Sequence, residues 1–309
     1  MKPFDQRHTS QIRTAQPLTC GTVLGSLLGV LPLTAQAVPL TFDQMVGLTT
    51  GNSLLGPTAG ERTLYFTDVA TENGQTIDAR ISTTIIGDTH FADQVDPNAV
   101  NYFGDAGYIP DYGSREVGPQ DDLGFLYYGN GINGQANGIA TSIDFFNGTG
   151  EMAGTFMDLF TVSSLEIAIY DVDGEASQSE YFSAFLDDGL IAYATGTSPQ
   201  ALVATELQDS VLFEGPGTNF SETDATGAAI LYYELTSSLN LNFGSVQSSG
   251  PQQNAVFSAI DGDLSLFPDG GFGDPTAIAA VPLPAGALLL LTAIGGCFVT
   301  SRRSSKTKA

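Results

Sequence analysis

Three carboxylates stand at alternate positions in one short stretch of this 309-residue chain: Asp171, Asp173 and Glu175, around the dipeptide Asp173-Gly174. Carboxylates gathered on a turn can supply the oxygen ligands that Ca2+, a hard cation tolerant of irregular geometry, takes up. Glu180, Asp187 or Asp188 could complete a shell from the adjoining hairpin. The spacing is not that of an EF-hand, because the glycine comes too early and the twelfth position is Phe182. Calcium is the expected ion here, and a solvated acidic turn is the competing reading. Asp121-Asp122 and Asp261-Gly262-Asp263 are weaker versions of the same pattern.

Other chemistry is scarce. Between residues 38 and 281 there is no cysteine and no lysine, and His90 is the only histidine. Nucleophile–base pairs built on Cys, Lys or His are therefore nearly excluded, and neither Gly-x-Ser-x-Gly nor His-Glu-x-x-His occurs. Two carboxylates can hydrolyse a glycoside, but the many acidic residues single out no pair. Gly129-x-Gly131-x-x-Gly134 spells a dinucleotide fingerprint, yet the helix that should follow it is replaced by another strand-like run. Tyrosines such as Tyr102, Tyr108 and Tyr127 could stack on sugar rings through their apolar faces, although Trp, the usual platform, is absent. No catalytic residue, no organic cofactor and no enzymatic activity are expected.

The elements that must carry these residues read as strands. From Thr76 to Ile86, Ile77, Ala79, Ile81, Thr83 and Ile85 fall on one face and Asp78, Arg80, Ser82 and Thr84 on the other. Leu165–Tyr170 and Leu239–Phe243 alternate in the same way. Such period-two patterns mark antiparallel strands with one buried and one wet face. Further strands are expected at 63–69, 123–128, 139–146, 156–162, 180–186, 190–194, 228–235, 255–260 and 263–267. Asn-Gly and Asp-Gly pairs punctuate them, among them Asn73-Gly74, Asn137-Gly138, Asp173-Gly174 and Asp188-Gly189. The expected fold is all-β: an antiparallel, jelly-roll-like β-sandwich over residues 38–267. A loop-rich insertion is expected near 88–122 and a flexible linker over 268–280.

Both ends read as targeting segments. Lys2, Arg7 and Arg13 precede an apolar stretch from Leu18 to Ala35, and Ala35-Gln36-Ala37 is a small-x-small cleavage site, so residues 1–37 are expected to be a signal peptide. At the other end, Val281-Pro282-Leu283-Pro284-Ala285 opens an apolar run closed by Arg302-Arg303. A transmembrane helix over about 284–301 would rise about 25 Å, short for a bilayer core of about 30 Å but extended by snorkelling arginines. The basic end should stay cytoplasmic. Of the ten Lys and Arg residues only Arg62, Arg80 and Arg115 lie between these segments, against all but one of the 34 Asp and Glu, which leaves the body near −30. That charge repels nucleic acid.

The tail, residues 281–309, resembles the VPLPA-CTERM sorting signal, a branch of the PEP-CTERM/exosortase system of Gram-negative bacteria. Val281 to Ala285, Leu288 to Leu291, Gly295-Gly296 and Arg302-Arg303 carry the resemblance, and Ser304 to Ala309 depart from it as an extra polar end. The resemblance implies recognition by an exosortase-type membrane protease after passage through the secretion machinery, with export tied to exopolysaccharide. It implies an inner-membrane intermediate and a final place at the cell surface or outside the cell, and nothing about the body's chemistry. Three roles remain open for the body: a structural or interaction protein of the surface or extracellular matrix, a calcium-dependent carbohydrate-binding module, and a glycan-active hydrolase. N-terminal sequencing of the exported protein should begin at Val38; a mature chain that still starts at Met1 would contradict the cleavage site.

Overall fold

The alternation in the sequence becomes two antiparallel sheets packed face to face. A computed structural model describes residues 37–50, 62–87, 89–91, 108–110, 122–130, 136–175, 177–221, 223–247, 253–267 and 271–278. Ala35, the sorting residues Val281, Pro282, Leu283, Pro284, Ala285, Arg302 and Arg303, and most of the 88–122 insertion lie outside them. No helix among the described residues is long and apolar enough to cross a membrane.

Strands are numbered β1 to β16 in chain order. The first sheet runs β1 (Met45–Thr50), β2 (Arg62–Glu72), β3 (Gln75–Ile86), β7 (Ala136–Asn147), β14 (Ser238–Gln247), β9 (Gln178–Phe185), β12 (Ser210–Glu214) and β11 (Val203–Glu206). The second runs β16 (Thr276–Ala277), β10 (Leu190–Thr195), β13 (Ala229–Thr236), β8 (Val162–Tyr170), β15 (Gln253–Asp261), β6 (Leu123–Asn130) and β4 (Thr89–Phe91), with β5 (Tyr108–Pro110) also on β6. The hairpin between β2 and β3 turns at Asn73-Gly74, both with positive φ, as a two-residue loop requires. Another expected turn, Asn137-Gly138, lies inside β7 instead, where the absence of a side chain at 138 lets the Phe243 carbonyl approach.

Inward-facing residues of both sheets form one core. On β14 these are Leu239, Leu241 and Phe243, and on β9 Phe182 and Ala184, all fully buried. Phe182 stacks on Phe213 of the neighbouring β12, ring centroids 4.4 Å apart. Across the sandwich, Phe125 meets Phe243 at 5.5 Å and Tyr193 meets Phe213 at 5.3 Å. Each such side chain contributes roughly 1.5–3 kcal/mol through its removal from water. The first residues after Ala37 already belong to this core: the Val38 N–H donates to the Ser164 carbonyl at 2.9 Å, and Leu40 and Phe42 are buried.

Loops cover parts of the outer faces. Outside the second sheet, Leu266, Phe267 and Phe272 pack on Tyr170, Ala194, Ile230 and Ala259. Residues 263–267, expected as a strand, form this cover instead. Asp261 accepts the N–H groups of Asp263 and Leu266 at 3.1 and 2.9 Å and so turns the chain back; burial pushes its carboxyl up to about 6. Residues 271–278 of the expected linker run on as structure, with Phe272 against Phe267 and Thr276–Ala277 paired to β10. Outside the first sheet, Phe156 packs on Tyr65 and Phe146 at 5.0 and 5.9 Å. Its φ of 52° breaks the extended chain, so the strand expected from 156 begins at Val162. Among the described residues, no such loop packs on the outer face over β14 and β9, or on β7 beyond Phe146.

Candidate functional site

The acidic turn lies where β8 leaves the second sheet. Asp171 takes a left-handed φ of 58° there. Asp173 is buried, and its carboxylate accepts the Phe220 N–H at 2.5 Å. Glu180, two residues into β9, points into the end of the sandwich instead of into solvent. It accepts the Gln178 amide at 2.9 Å and the Asp173 N–H at 3.3 Å. Glu175 is exposed and accepts the Ser177 hydroxyl at 2.9 Å. Of the three residues read from the spacing, Asp171 and Asp173 act on Glu180 through their charges, and Glu175 accepts the Ser177 hydroxyl in its own loop. Among the described residues no group of three His, Cys, Asp or Glu is placed to hold a metal ion.

Burial drives the electrostatics of this corner. The Glu180 carboxyl is raised well above its usual range, first by desolvation and then by the charges of Asp171 and Asp173, with the two hydrogen bonds opposing. The buried Tyr127 phenol facing it is raised for the same reason, with Glu180 adding to the effect. Spacing alone could not single out Glu180, because its strand was legible but the side it faces was not.

A second locus emerges on the open outer face of the first sheet. Strand pairing aligns Thr84, Ala140, Asn242 and Ser183 in one row across β3, β7, β14 and β9, and Ser82, Ser142 and Asn240 in the next. These side chains are short, and they leave a trough of about 490 Å3 that reaches Phe185, Asp187 and Asp188 at one end. Clefts of roughly 300–1,000 Å3 are the usual size for ligand sites. Asp188 ends the 3-10 turn Leu186–Asp188 and clamps Asn240, accepting its backbone N–H at 2.6 Å and its side-chain amide at 2.8 Å. Burial raises the Asp188 carboxyl, and the two bonds from Asn240 pull the other way. Asp144, on the neighbouring rim, accepts Arg80 at 2.7 Å, Ser238 at 2.9 Å and Ser142 at 3.4 Å, so its charge is compensated. Arg80 in turn lies over the Phe146 ring at 5.0 Å. The signal for this face was present in the sequence as the polar half of each alternation.

No family model matches the chain, and no curated protein matches it. Among solved structures, the N-terminal domain of a Streptococcus gordonii adhesin is similar at 12% identity and a TM-score of 0.42, over 72% of this chain and 60% of that one. The glucan-binding protein C of Streptococcus mutans is similar at 9% identity and a TM-score of 0.35, over 74% and 64%. The chain therefore spans less than two thirds of either structure. At these scores the likeness decides neither fold nor function, and the fold stands on the strand pairing.

Glu180 makes a pH prediction. Its folded-state proton affinity exceeds that of an unfolded glutamate, so the folded state holds more protons as pH rises past about 4.3. Stability from this group is full below that pH and is lost as pH climbs towards the raised folded value. Denaturant unfolding of Glu180→Gln should show a flatter pH dependence over that window and greater stability than wild type at neutral pH. An unchanged pH slope together with a less stable variant at pH 7 would contradict the assignment.

Proposed function

We propose that this chain is an exported protein of the cell surface or extracellular matrix whose β-sandwich is a non-catalytic interaction domain. The N-terminal signal hands it to the secretion machinery, and an exosortase-type protease acts on the VPLPA-like tail. The structural observation that supports an interaction role is the open polar trough on the first sheet. β14 carries no charged residue at all, and the single charged residue of β9, Glu180, points inward. In a body near −30, this leaves a surface on which a large partner meets little repulsion. Its fixed groups are hydrogen-bonding amides and hydroxyls, the polar elements that orient a ligand in a cleft.

The test is sedimentation of the processed chain with envelope and matrix fractions of the producing cell, alongside an assay for new reducing ends in the same fractions. Co-sedimentation that saturates, with no reducing ends formed, is the expected outcome. Absence of binding to every fraction would contradict the interaction role, and steady release of reducing ends would contradict the non-catalytic one.

A further inference from the structure

We infer that the outer face of the first sheet binds one extended strand of a neutral polysaccharide, lying along β14 beside an aromatic ridge carried by β9. The inference rests on the interaction role proposed above and names the ligand class for its trough.

The ridge is built by the register of β9. Tyr181, Ser183 and Phe185 alternate outward while Phe182 and Ala184 go into the core. The outward rings of Tyr181 and Phe185 are four residues apart, about 13 Å along the strand. Tyr181 lies directly over Gly244, its partner on β14; a side chain at 244 would collide with the phenol ring. Glycine at that position is what lets the ring lie down on the sheet and present its other face. Leu212 of β12 pairs with Ser183 and continues the apolar wall between the two rings. Ring faces and aliphatic groups of this kind suit the C–H face of a pyranose.

The floor beside the ridge supplies hydrogen bonds without charge. Asn240 and Asn242 stand two residues apart on β14, about 7 Å along the strand. Because Asp188 takes the Asn240 amide N–H, the Asn240 carbonyl oxygen is left as an oriented acceptor. Ala140 is the low point of the row, and Ser142 bounds it towards the compensated Asp144. Hydroxyls of a sugar chain, which both donate and accept, match alternating amides and hydroxyls of this type. Asp187 and Asp188 close one end of the trough and make it unfavourable for uronate, sulfate or phosphate. A neutral chain meets no such penalty.

The experiment is affinity electrophoresis of the processed chain in gels holding a soluble neutral β-glucan, dextran, or alginate as the anionic control. The wild type should be retarded by at least one neutral glucan and not by alginate. Phe185→Ala should weaken retardation about tenfold, and Ala140→Phe, which fills the floor, should abolish it. Asn242→Asp keeps the shape and adds a charge, and should weaken binding at least as much. Unchanged thermal unfolding of each variant shows that the fold is intact, and Val203→Ala on the edge strand β11, outside the trough lining, should bind as wild type. No retardation of the wild type by either neutral glucan, or equal retardation of wild type and all three trough variants, would overturn the inference. If envelope binding persists while neutral glucans fail to bind, only the ligand class is lost; if envelope binding is also absent, the interaction role falls with it.

Discussion

The pairing of β9 with β14 sets the face on which each residue of the two central strands appears. Leu241 opposite Ala184 and Phe243 opposite Phe182 lock the register. A slip of one residue would turn Phe182 out and Tyr181 in, and every later position of β9 would change sides with them. The buried phenylalanines hold against such a slip: Phe182 and Phe213 stack, and Phe243 meets Phe125 of the opposite sheet. The same register that fills the core lays Tyr181 and Phe185 along the outer surface. Core packing and the trough are two faces of one constraint.

That constraint also forces Glu180 inward. It is the one carboxylate of β9, and its neighbours in the alternation are the residues the core most needs. The chain accommodates it at the sandwich end with the Gln178 amide and the Asp173 N–H, while burial first, and then the charges of Asp171 and Asp173, raise its proton affinity. Burying a carboxylate is costly to its charged form, and a raised proton affinity is the usual response. By contrast, the outer face spends its charges outright: Asp144 on Arg80 and two serines, Asp188 on Asn240. The acidic body thereby keeps a nearly neutral strip along β14.

Period-two alternation made the central strands legible. Expected strands over 76–86, 139–146, 165–170 and 239–243 fall within β3, β7, β8 and β14. Where the expectation failed, a local interaction had overridden the pattern. Phe156 adopts a positive φ to pack on Tyr65, and Asp261 caps the 263–267 turn that carries Leu266 and Phe267 onto Tyr170. The edge strand β11 and its neighbour β12 went unread because Val203–Glu206 is largely exposed and shows no clear alternation, and β12 is only five residues long. The acidic turn was legible as Asp171, Asp173 and Glu175, but sequence spacing could not show that Glu175 would face Ser177 and that Glu180 would take its place beside the other two. The polar half of each alternation was legible, but the trough was not, because it is made by four strands distant in sequence.

Backbone amide chemical shifts, followed by NMR as a neutral glucan oligosaccharide is titrated into the isotopically labelled processed chain, test the trough most directly. The largest changes are expected on Asn240, Asn242, Ser183 and Phe185, with the Asp171–Glu175 turn and the β11 edge unmoved. Saturable changes concentrated elsewhere, with the β14 and β9 amides unaffected, would contradict it.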